Sequence, residues 1–342
     1  MMMNKKIMIK SKRGFTMVEM AIVLIMIGIL TASLAPLILR QHTNSQEGID
    51  HQALLDAQTA VINYAITFGG IPDPVLVNGA STVPNVSAFG VNNWGAFGDG
   101  TTNPFRLDVN STLTSSNILT AIGGTASSVG GERVTFCQAV NAAMSSVTAQ
   151  YPQVCSDYTT NHLGVATACT TAAPVAFVLY STGNNRVADQ GNALTGRIYE
   201  NDKRGINNST STTDLYDDQV MSYPLTALAR DCREKMGVAP EVMSCPAGQK
   251  YVGSLTNNYT AATNGASYGY APPPTSPVPA NFTLYINSCQ ARTTPLWVNP
   301  DYANSASAVQ VGGLSATLKD LDMNNDGRVD IFINALGVVT AQ

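Results

Sequence analysis

Asp322, Asn324 and Asp326 occupy alternate positions of the stretch "DMNNDGRVD" (322–330), Gly327 follows where the chain must turn sharply, and Asp330 lies two residues beyond Arg328. Side-chain oxygens at that spacing, with the backbone carbonyl of Arg328 between them, follow the donor order of an EF-hand-like loop, in which a hard cation takes several oxygens. A structural calcium ion is therefore the expected cofactor, with Asp322, Asn324, Asp326, Arg328 and Asp330 as its ligands. The twelfth position departs from the order. It holds Ile333 where a bidentate glutamate belongs, so weak affinity is expected, with Asp320 as a substitute donor. The simpler alternative is an Asp-Gly turn joining two strands, its acids solvated.

Cys137, Cys155, Cys169, Cys232, Cys245 and Cys289 form no C-x-x-C pair of zinc or thioredoxin spacing. They read as disulfide formers, which places them in an oxidising compartment such as a bacterial periplasm or cell surface. Nearness in sequence favours two clusters, 137/155/169 and 232/245/289, yet neither cluster of three can pair fully, and the connectivity stays open. "GASYG" (265–269) satisfies G-x-S-x-G, but "YAPPP" follows where a helix is required, and the last histidine, His162, lies upstream. H-E-x-x-H, P-loop and dinucleotide fingerprints are absent. No enzyme is expected. His42 and His51 read as solvated helix residues.

The 342 residues are 44% hydrophobic and 12% charged, with a formal net charge of −4. Five basic residues, Lys5, Lys6, Lys10, Lys12 and Arg13, precede Gly14 with no acid among them, so the chain beyond Gly14 is more acidic than the whole. That balance argues against sequence-independent nucleic-acid binding, which neutralises phosphates with basic side chains.

Met20 to Leu39 carry no charge. As a helix this run measures about 30 Å, the thickness of a bilayer's hydrocarbon core. The basic leader then stays on the cytoplasmic side and the remainder outside. An ordinary secretory signal is cleaved after its apolar stretch, but here Pro36 sits awkwardly in "TASLAP". Basic residues, Gly14, Phe15, Thr16, Glu19 and an apolar helix with Gly28 and Pro36 together resemble the class III signal of type IV pilins and type II secretion pseudopilins.

The resemblance implies cleavage after Gly14 by a prepilin peptidase and N-methylation of the new amino terminus at Phe15. It further implies that Glu19 faces the amino terminus of a neighbouring subunit during assembly, and that Pro36 belongs to the same pattern. A carboxylate in an apolar segment costs about 2.5–3.5 kcal/mol on insertion scales, so a partner of opposite charge is a strong reason to keep one. Proline removes an intrahelical hydrogen bond, so Gly28 to Pro36 should be a weak stretch of helix. Some pseudopilins use bound calcium to fix a head loop, which is the structural role expected at 322–330.

Beyond Arg40, Leu54, Ala57, Val61, Ala65 and Phe68 step by three or four, with Leu55, Ile62 and Ile66 beside them. Gly69-Gly70, with Pro72 and Pro74, stops this amphipathic helix. Short runs, "RVTF" (133–136), "VAFVLY" (175–180), "QVMSY" (219–223), "NFTLYI" (281–286) and "VDIFIN" (329–334), read as strands, and "PLTALARDCREKMG" (224–237) as a helix ended by Gly237. "VAFVLYSTGNN" and "TDLYDDQVMSYPLTALA" resemble the head sheet of large prepilin-like proteins. "YAPPPTSPVPAN" (270–281) reads as an extended connection.

The fold class expected is α+β: a long N-terminal helix packed on an antiparallel β-sheet head, with an added C-terminal β-rich subdomain. Its parts are a leader (1–14), a pilin helix (15–69; transmembrane 15–39, amphipathic stem 40–69), a head (70–237) and the subdomain with the acidic loop (238–342). The function expected is a minor or specialised subunit of a type IV pilus or type II secretion pseudopilus. Other pilin or pseudopilin subunits, the prepilin peptidase and the bacterial inner membrane are its partners, the precursor being single-pass with its head in the periplasm. The alternative is a surface adhesin, a binding module displayed on the stem that contacts a protein or surface ligand through 238–342.

Overall fold

The computed structural model of the protein describes residues 17–77, 80–82, 105–124, 131–146, 151–155, 158–160, 166–169, 171–181, 197–200, 219–257, 287–298, 309–334, 336 and 338–342. Helix α1 runs Met17–Phe68 and continues through Gly28 and Pro36, so the stretch expected to be weak is helical. Residues 1–51 and 52–342 form two compact units. In the second unit Leu54, Ala57, Val61 and Ala65 are buried, as their spacing predicts. Tyr64 joins them, whereas Leu55 is exposed. Gly69 ends the helix with φ +68, and a side chain there would meet the Arg133 backbone nitrogen at 2.7 Å. A positive φ and a close backbone approach together call for glycine.

The head sheet contains β1 (Val75–Val77), β2 (Ala80–Thr82), β3 (Arg106–Val109), β4 (Gln153–Cys155), β7 (Ala172–Ser181), β8 (Ile198–Glu200) and β9 (Gln219–Pro224). Central β7 pairs antiparallel with β3 through 177–180, with β4 through 172–174 and with β9 through 175–181. Only β4 and β8 run parallel within this sheet, among the described residues. Strand β7 is buried from Val175 to Ser181, which explains its continuous apolar run. Phe177 and Leu179 enter the core shared with α1, while Val178 and Tyr180 pack on the other face with Val154 and Tyr199. A small hairpin, β5 (Tyr158–Thr160) and β6 (Ala166–Cys169), stands apart from this sheet.

"RVTF" is a correction. Arg133–Ser145 is helix α3, not a strand, and Val134, Phe136, Cys137, Val140 and Ala143 are all buried in the first core. Local β-branched preference yields to tertiary burial, since the apolar pattern continues well beyond four residues. Helix α2 (Ser115–Ala121) precedes it, and α4 (Leu225–Glu234) follows β9, with Gly237 at φ +71 beyond its end. "NFTLYI" and "YAPPPTSPVPAN" lie outside the described residues.

A second sheet is ordered β11 (Ser288–Ala291), β10 (Gln249–Asn257), β14 (Arg328–Ile333), β15 (Val339–Ala341). Its central pair, β10 and β14, is parallel. Val252, Leu296, Val298, Leu318, Val329, Ile331 and Ile333 make its separate core, and β12 (Trp297–Val298) pairs antiparallel with β13 (Val309–Gln310) as a two-stranded ribbon. Short α5 (Pro240–Met243) precedes β10, and α6 (Leu318–Leu321) precedes the acidic loop. Buried Gln138 of α3 donates to the carbonyls of Val242 and Gln249 and accepts from Gly248 N, so one amide stitches α3 to α5 and the start of β10.

The cysteines pair as Cys137–Cys232, Cys155–Cys169 and Cys245–Cys289. The first joins α3 to α4 across the two clusters favoured by sequence nearness, and so corrects that grouping. The other two bonds stay within their clusters.

Candidate functional site

Gly14 and Phe15 lie outside the described residues, and α1 begins at Met17. Glu19 and Pro36 are in α1, with side chains outside the described ones. Between them apolar side chains stand open, among them Leu24 at 64% and Ile29 at 65% exposure. An apolar surface of this kind marks a place for lipid or partner helices. Among the described residues no helix is long and apolar enough to cross a membrane. The expected span, 15–39, takes in several residues outside that description.

In the acidic loop the side-chain oxygens of Asp322, Asn324, Asp326 and Asp330 all have partners from the protein itself. Asp322 is buried. Its carboxylate accepts from Lys250 Nζ at 2.7 Å, Gly327 N at 2.9 Å and Asp326 N at 3.1 Å. Asn324 Oδ1 also accepts from Asp326 N, at 3.2 Å, while its Nδ2 donates to Asp326 Oδ2 at 2.9 Å. Asp326 Oδ1 accepts from Arg328 N at 2.8 Å. Asp330 faces away, accepting from Arg328 Nε at 2.9 Å and from Ser254 N at 2.9 Å. Asp320, the substitute donor, instead closes a capping box with Thr317 at the start of α6. The Thr317 hydroxyl, then its backbone N–H, holds the Asp320 carboxyl below its ordinary range.

Calcium gathers several oxygens around one point at roughly 2.3–2.6 Å, whereas the oxygens of Asp322, Asn324 and Asp326 each accept from a backbone N–H of the loop. Among the described residues no group of three or more His, Cys, Asp or Glu side chains is arranged to hold a metal. These side chains satisfy one another, and the buried ammonium of Lys250 stands against the first donor, Asp322.

The partner of Asp322 is one of four buried or nearly buried charges. Lys250 Nζ lies 2.7 Å from Asp322 and 3.6 Å from Glu132 Oε1, and Arg292 Nη2 lies 3.3 Å from the same Glu132 oxygen. Two cations thus meet two carboxylates. The cluster ties the start of α3 (Glu132), β10 (Lys250), the turn after β11 (Arg292) and the acidic loop (Asp322). Sequence reasoning missed all but Asp322, although one signal was present. Lys250 and Val252 share a face of β10, so the face that buries Val252 also buries the lysine.

A second unforeseen cluster braces the head sheet. Arg197 donates through Nε at 3.0 Å and Nη2 at 2.6 Å to the two oxygens of Asp108, and through Nη2 to the Val109 carbonyl at 2.8 Å. Tyr199 OH donates to Asp108 Oδ2 at 2.7 Å. Burial first, and then the Asp108 charge, pushes the Tyr199 hydroxyl far above the ordinary phenol range, which keeps it a donor. Arg197 takes φ +52, a position costly for a non-glycine residue, and the bidentate pair holds it there.

Residues 9–35 match the prokaryotic N-terminal methylation motif. The chain therefore carries the type IV pilin/pseudopilin signal, and proteins with this motif are membrane-anchored precursors, processed by prepilin peptidase and assembled with other pilin subunits. Comparison with curated proteins and with solved structures gives no match.

Proposed function

We propose that this protein is a non-enzymatic, minor or specialised subunit of a type IV pilus or type II secretion pseudopilus. It is cut after Gly14, methylated at Phe15, and assembled through α1, with Glu19 meeting the new amino terminus of a neighbouring subunit. The observation that carries this reading is the motif at residues 9–35. The continuous helix Met17–Phe68 with its open apolar side chains supports it, because one element can serve both as anchor and as filament core. The bulk of the head supports a minor role over a bulk one, since large heads repeat poorly in a dense filament.

Glu19→Ala supplies the test. The variant should insert and be cleaved normally, yet its share in sheared filaments should fall at least about tenfold, the factor that each 1.4 kcal/mol of lost pairing represents. Incorporation at the wild-type level would remove Glu19 from assembly.

A further inference from the structure

We propose that Lys250 is the resident cation of the 322–330 loop, its ammonium group holding the place that a divalent metal takes in loops of this donor order, so that the turn forms without metal. Asp322, first in the donor order, is the anchor. Its carboxylate already receives Lys250 Nζ and the N–H groups of Asp326 and Gly327, and those three donors draw on both of its oxygens.

The lysine has no exit to solvent. Its side chain is 2% exposed, and β10 is fixed against the strand that leaves the loop by the pairings Tyr251 with Arg328 and Val252 with Val329. A divalent ion bound through Asp322 would lie close to that buried ammonium, and like charges at short range repel. Charge pairing says the same of the buried end of the loop: Lys250 and Arg292 already offset Asp322 and Glu132 there.

Of the remaining donors, Asn324 and Asp326 bond to each other and to N–H groups of the loop, and Asp330 is committed outside it. Asp330 is taken by Arg328 and by Ser254 N, at the irregularity where the β10 register shifts between Val252 and Leu255. A side chain at Gly253 would run into that carboxylate, so the glycine keeps the recess open for Asp330. Arg328 is anchored in turn to Glu241 at 2.5 Å and lies over the Tyr251 ring. The twelfth position, Ile333, is buried in the second core and offers no oxygen. The inference concerns the head alone and does not rest on the filament reading.

Thermal unfolding of the full chain in detergent, disulfides intact, is compared in EGTA and in millimolar calcium chloride. The midpoints should agree within about 1 °C, whereas a saturable rise of about 5 °C, the size a well-occupied site produces, would overturn the proposal. Lys250→Met adds a second arm. With the ammonium gone the loop carboxylates lack their counterion, and the variant should gain a calcium-dependent midpoint, or fold only when calcium is present. A folded Lys250→Met protein as indifferent to calcium as the wild type would show that the lysine does not hold the metal's place. If this variant folds under neither condition, the wild-type comparison decides.

Discussion

Replacing both Cys137 and Cys232 with alanine is expected to lower unfolding stability by about 4–5 kcal/mol, the largest loss among the three disulfides. The cause is mainly in the unfolded chain. This bond closes a separation of 95 residues, against 44 for Cys245–Cys289 and 14 for Cys155–Cys169, and the entropy withheld from the unfolded state grows with the logarithm of loop length. By the same relation the shortest bond contributes about 3 kcal/mol. Location adds to the ranking. Cys137 and Cys232 are both fully buried between α3 and α4, beside Phe136, Val140 and Leu228, so their loss also loosens the first core. A total stability of about 5–15 kcal/mol is usual, so this one change removes about a quarter or more of it. Urea unfolding of the three pairwise variants checks the order, and a Cys155/Cys169 variant that loses as much as Cys137/Cys232 would contradict the explanation.

Gly327→Ala should cost about 3–4 kcal/mol, combining a left-handed backbone with an overpacked contact. Gly327 sits at φ +83 in the acidic loop, and a side chain there would lie 2.7 Å from Val242 Cγ1 and press against Val134. Those valines belong to the first core, so the tip of a loop in the second sheet abuts the junction of α3 and α5. Gly313 is the control. It has φ +103 with open space around it, so Gly313→Ala bears only the backbone penalty, about 1–2 kcal/mol. Chemical denaturation of both variants separates the two causes; equal losses would mean that the packing at Gly327 is not tight.

Much of this architecture was legible where one signal dominated. The buried run of β7, the helix α4 with Gly237 beyond it, and the stepped apolar face of α1 after Gln52 each declare themselves by period and punctuation. The segment 133–145 did not, because Val, Thr and Phe favour strands locally while burial along most of the segment settles the helix. Nor did the bond between Cys137 and Cys232, since sequence distance says little about which cysteines the fold brings together. At the acidic loop the turn chemistry was readable and its charge partner was not. Lys250 stands 72 residues before Asp322, and no local pattern joins them. The motif at residues 9–35 is a different kind of feature, readable from sequence without the fold.

Mass spectrometry of the amino-terminal peptide, taken from the chain in cells that possess the prepilin peptidase, tests the central claim most directly. A peptide that begins at N-methylated Phe15 is the expected result. A chain that retains residues 1–14, or one cleaved beyond Pro36 in the manner of an ordinary secretory signal, would contradict it.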